Sequence, residues 1–172
     1  MTQQASRGSV TAVLATTAEL NADTQLLLRL LRQWLFGMRN GDPEFWQTAW
    51  NDLAVRYGTP RARRALVAVE RFYKVLADGA CRTLSIRPVQ CGFLGIDEGV
   101  MLLLLRRAGA GDDIGAVETA AGLVHSHAAA DLADAARQLH GAFGEPADTA
   151  GASFVAGGWL SQERNPPSSS YH

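Results

Sequence analysis

Twice in quick succession, at Gly41-Asp42-Pro43-Glu44 and at Gly58-Thr59-Pro60, the chain sets a glycine before a polar residue and a proline. Glycine closes a helix because, without a Cβ, it enters the left-handed conformation at little cost. Asp or Thr then caps the next helix, and proline fits a first turn that needs no N–H. The two signals divide the region into three consecutive helices joined by tight connections.

Apolar spacing fills in these helices. The first is expected from the N-cap candidates Asn21 and Asp23 to about Asn40. Its polar stripe is Gln25, Arg29, Arg32, Gln33 and Arg39, set against a broad apolar face of Leu27, Leu30, Leu31, Trp34, Leu35 and Met38. The second covers 43–57 and gathers Phe45, Trp46, Trp50, Leu53 and Tyr57 on one side. Such an aromatic stripe reads as core, with a stacking platform for bases or a cofactor as the alternative. The third starts at Pro60 and ends at Ala77 or Asp78, burying Ala62, Ala65, Leu66, Val69, Phe72, Tyr73 and Leu76.

Helical rhythm then stops from Gly79 to Ile96. Alternation of Leu84 and Ile86, and of Val89, Cys91 and Phe93, leaves two readings for residues 79–96, a long irregular segment or one with one or two short strands. A fourth helix over 100–107 follows, with Asp97 as N-cap and Glu98 in its first turn. A fifth is expected as one continuous helix from Asp113 to Phe143, rich in alanine and so suited to a bundle spine or a self-association surface. The expected fold is all-α, a single-domain bundle of about five helices over residues 21–143. Residues 1–20 form a polar, disordered start, and residues 144–172 a Gly/Pro/Ser-rich tail. A length of 172 residues with 47% hydrophobic residues suits one core and no second domain.

The net charge of -1 exerts no whole-molecule pull on nucleic acid or anionic membrane, so charge matters here only where it is local. One local concentration stands out. Between positions 56 and 87 lie Arg56, Arg61, Arg63, Arg64, Arg71, Lys74, Arg82 and Arg87, against only Glu70 and Asp78. Arg63, Arg64, Arg71 and Lys74 lie opposite the apolar line of the third helix and are the candidate anion- or partner-binding residues, because arginine forks bind carboxylate and phosphate with two hydrogen bonds at once. Arg61, Arg63 and Arg64 also sit at the positive end of their own helix, an unfavourable placement that a partner anion would offset. A second candidate is an apolar island in the tail, where Phe154, Trp159 and Leu160 form a possible docking segment.

Catalysis has weaker support. Cys91, Asp97 and Glu98 lie close together between flexible glycines, and a nucleophilic Cys91 needs a histidine such as His125 or His127 brought to it by the fold. Cys81, Cys91, His125, His127 and His140 include zinc-competent ligands. However, no Cys-x-x-Cys pair exists, and two histidines two positions apart on a helix diverge. No catalytic residue, metal site or cofactor is therefore assigned. The apolar windows at 26–38 and 100–105 are too short or too charged to span a bilayer. Two cysteines and a start without an apolar signal core point to a reducing, cytoplasmic setting. The basic set is arginine with a single lysine, Lys74, a usage typical of GC-rich bacterial genomes.

The function expected from these features is that of a noncatalytic helical interaction or regulatory protein, engaging a protein partner or a second copy of itself through the arginine-rich face. A nucleic-acid-binding regulator using the same arginines is the alternative, and a small-molecule or enzyme site at residues 91–98 the third reading.

Overall fold

Asn21 turns its side-chain oxygen onto the backbone N–H of Thr24 at 2.8 Å and starts helix α1 (Ala22–Asn40). Gly41, at φ 62°, ends it in the left-handed region. Asp42 caps α2 (Pro43–Tyr57) by accepting from Glu44 N at 2.9 Å, and Gly58, at φ 81°, passes the chain into α3 (Thr59–Gly79). The computed structural model describes residues 16–144; most of the polar start and the island of Phe154, Trp159 and Leu160 lie outside the described residues.

The tight turns make α1 and α2 antiparallel. Asp23 at the start of α1 pairs with Arg56 at the end of α2, while Trp46 in the first turns of α2 lies across Gly37 near the end of α1. A Cβ at position 37 would stand 2.5 Å from Trp46 Nε1, so glycine is what admits the indole there. The aromatic stripe of α2 packs on α1, with Trp34–Trp46 and Phe36–Phe45 ring centroids 6.0 and 6.1 Å apart.

Three further helices complete the bundle: α4 (Ile96–Gly109), α5 (Asp113–Ala120) and α6 (Ala129–Gly144). The described residues thus form the expected all-α single-domain bundle, with six α-helices because the one continuous helix expected from Asp113 to Phe143 is broken in two. The break has a tertiary cause. The end of α3 leaves carbonyl groups without partners, and His125 N donates to Gly79 O at 2.8 Å while Cys81 N donates to Leu123 O at 3.2 Å. In an uninterrupted helix the His125 N–H would be tied to Ala121. Gly79 permits this approach: a Cβ there would lie 2.7 Å from Ala128 Cβ. The alanine-rich α6 serves as the spine, packing chiefly on α3 and α4 with Ala129, Ala133, Ala135 and Ala136 buried in the chain's own core.

No strand forms between α3 and α4 among the described residues; only isolated bridges occur, Ala80 with Val124 and Thr16 with Phe93. Of the two readings the irregular one holds, because this segment's backbone groups are taken by side chains instead of a partner strand. Ser85 N donates to Asp97 Oδ2 (2.7 Å), Arg87 N to Glu98 Oε1 (2.9 Å), and the carbonyls of Cys91 and Phe93 accept from Arg32 (2.7 and 2.8 Å). The cap of α4 shifts accordingly. Asp97 is drawn aside, so Gly95 takes the N-cap position and Glu98, three residues on, accepts from Gly95 N at 2.7 Å.

No helix among the described residues is long and apolar enough to cross a membrane.

Candidate functional site

The polar stripe expected on α1 does not stay in water. Arg29 and Arg39 are exposed, but Arg32 and Gln33 are buried, Arg32 to 2% exposure. A buried guanidinium demands compensation, and Arg32 receives it from Glu98, equally buried, through Nε–Oε1 and Nη2–Oε2 bonds of 2.8 Å each. Beside it, Tyr73 donates its hydroxyl to Leu31 O at 2.6 Å; burial, with the nearby Glu98 charge adding, pushes this phenol far above its usual range. Arg82 binds Asp97 at 2.5 and 3.1 Å and, with Ser85 N–H assisting against burial, holds that carboxylate below its usual range. These groups pin the 80–95 segment over α1.

Among the described residues, two cavities border the pinned segment. One, about 230 Å³, is lined by Thr17, Gln25, Leu28, Arg29, Arg32, Val89, Gln90, Cys91 and Gly92. Cys91 is half-buried there, and no histidine lines this cavity with it. His125 and His127 are exposed just beyond the Gly79 contact, and neither belongs to a long helix. Instead of diverging, their rings stack at 5.9 Å, because His125 is extended and caps the short turn Ser126–Ala128. Among the described residues no group of three or more His, Cys, Asp or Glu side chains is placed to hold a metal ion.

The other cavity, about 340 Å³, is an apolar cleft between the end of α1, the last turns of α3 and residues 80–86. Leu35, Leu76, Leu84, Ile86 and Met101 form much of its wall, and the exposed Arg39 and Arg82 also line it. Its size falls in the range of ligand and side-chain pockets. Sequence reasoning missed it, since it exists only where residues 80–86 fold back beside α1.

The basic stretch divides into two sets. Arg56 pairs with Asp23. Arg61 donates to the carbonyls of Ala142 (3.2 Å) and Phe143, and lies over the Tyr57 ring at 4.9 Å. The unfavourable position of Arg61 at the start of α3 is thus offset by the negative end of α6. Arg71, one of the four expected partner-binding residues, bridges to α6 through Asp134 (2.8 Å) and Gln138 (2.6 Å). Arg63, Arg64 and Lys74 remain: all three are exposed on α3, and none has an ion pair or hydrogen-bonded partner among the described residues. With Val67, Glu70 and Asp78, Arg63 and Lys74 form a stripe at four- and three-residue spacing along the outer side of the helix.

Comparison with protein-family models, curated proteins and solved structures returned no match.

Proposed function

We propose that this chain is a noncatalytic helical interaction protein that engages an acidic patch on a protein partner through the outer face of α3. One observation carries the reading. Of the basic side chains on α3, Arg61 and Arg71 are consumed by bonds to α6, whereas Arg63, Arg64 and Lys74 are exposed and unpaired among the described residues. Exposed Val67, between Arg63 and Lys74, adds apolar contact area. Glu70 and Asp78 lie on the same stripe and would repel the uniform charge of a phosphate backbone, whereas carboxylates on a protein surface can be set against Arg63, Arg64 and Lys74 alone, which favours a protein over nucleic acid.

The test is co-purification of the tagged full chain from its native cells, with and without nuclease, alongside a triple variant Arg63→Glu, Arg64→Glu, Lys74→Glu. A protein retained by the parent chain through nuclease and lost from the folded variant supports the reading. Equal retention by both chains overturns it, and loss of every partner on nuclease treatment transfers the face to nucleic acid.

A further inference from the structure

We infer that the apolar tail segment 154–160 docks in the cleft at the end of α3, with Trp159 as its anchor. Three observations converge on this occupant.

The first is reach. The last described helix ends at Gly144, next to Phe143, whose carbonyl is held by Arg61 in the first turns of α3. From Arg61 to Ala77, which lines the cleft, the helix advances about 24 Å. The connector from Gly144 to Phe154 spans up to about 33 Å when extended, so it covers that distance with slack.

The second is charge. Arg63, Arg64 and Lys74 are exposed on α3 between these two points, Arg61 and Ala77. The connector carries Glu145 and Asp148 and no basic residue, so it is complementary to that face.

The third is chemistry. The cleft offers an apolar wall of leucine, isoleucine and methionine, and the tail offers Phe154, Trp159 and Leu160 in an otherwise small and polar setting. Burial of a tryptophan against such a wall is the usual anchor of a docked segment. A tail docked this way crosses the face proposed for the partner, which would then have to displace it. That consequence rests on the partner reading; the docking itself does not.

The experiment uses the isolated full chain and one native thiol. Cys81 is exposed and sits between two cleft-lining residues, Ala80 and Arg82. A nitroxide is attached to Cys81 in a Cys91→Ser background, and the tryptophan indole N–H resonances are recorded before and after reduction of the label. Trp159 is assigned by Trp159→Phe. Docking predicts loss of the Trp159 resonance in the oxidised sample, its return on reduction, and its persistence in Ala77→Glu, which adds bulk and negative charge at an exposed cleft position. An unbroadened Trp159 overturns the proposal, as does broadening that Ala77→Glu leaves unchanged. Mixing nitroxide-labelled chains with isotope-labelled, nitroxide-free chains separates the remaining occupant: broadening in the mixture assigns the cleft to a second copy and overturns docking within one chain.

Discussion

Arg32 and Glu98, 66 residues apart in the chain, meet side-on in two hydrogen bonds of 2.8 Å, both side chains 2% exposed. Each also serves the segment between them. Arg32 holds the carbonyls of Cys91 and Phe93, and Glu98 accepts from the N–H groups of Arg87 and Gly95. The pair therefore joins α1, α4 and the irregular segment at one point.

Removing one partner strands the other charge in the interior. Arg32→Met and Glu98→Leu are each expected to cost about 3 to 5 kcal/mol of unfolding free energy in urea titrations. The double variant should lose clearly less than the two single losses combined, since no buried charge is then left alone. Strict additivity would show that the two side chains do not act as a unit.

His140 lies against Gly109 near the end of α4, and burial lowers the affinity of its imidazole for a proton. The unfolded chain binds that proton near the ordinary histidine value of 6.5 and the folded chain resists it, so protonation opposes folding. Stability is expected to fall as pH drops below that value, and His140→Gln should flatten this limb of the curve. Asp97 acts in the next window down: its lowered pKa stabilises the fold above the ordinary carboxylate value and is lost as pH falls below it, a loss that Asp97→Asn should abolish. Denaturation midpoints measured from pH 7.5 to pH 3 resolve the two limbs.

A methyl group at position 79 has nowhere to go, with Ala128 Cβ at 2.7 Å and Val124 Cβ at 3.3 Å. Gly79→Ala should destabilise by about 1 to 3 kcal/mol through overpacking, despite the better helix propensity of alanine. A stabilised variant would mean that the end of α3 and the start of α6 separate easily.

The basic residues of α3 should divide by experiment as they do by geometry. Arg71→Ala removes an exposed bridge to Asp134 and should cost roughly 0.2 to 1 kcal/mol. Arg63→Ala, Arg64→Ala and Lys74→Ala should each stay within about 0.5 kcal/mol of the parent in thermal melts, because they are exposed and make no hydrogen bond or ion pair among the described residues. A larger loss at any of these three would give it a structural role instead.

The α1, α2 and α3 boundaries were legible in sequence because the groups that make them act within a few residues. Asn21 caps Thr24, Asp42 caps Glu44, and Gly41 and Gly58 need only their own backbone freedom. The exposure of Arg63, Arg64 and Lys74 follows from helical period for the same reason. Tertiary structure decided the rest, through contacts between residues far apart in the chain. Arg32 falls on the polar stripe of its helix yet is buried, since the compensating carboxylate arrives only when α4 packs. Alternation in residues 84–93 reads as strand, but that backbone is satisfied by Arg32, Asp97 and Glu98, so no ladder forms. The pattern from Asp113 to Phe143 reads as one helix, but the carbonyl of Gly79 claims the amide of His125. Local propensity determines where helices begin and end; where a buried charge or an unsatisfied backbone group finds its partner is set by the packing of the whole bundle.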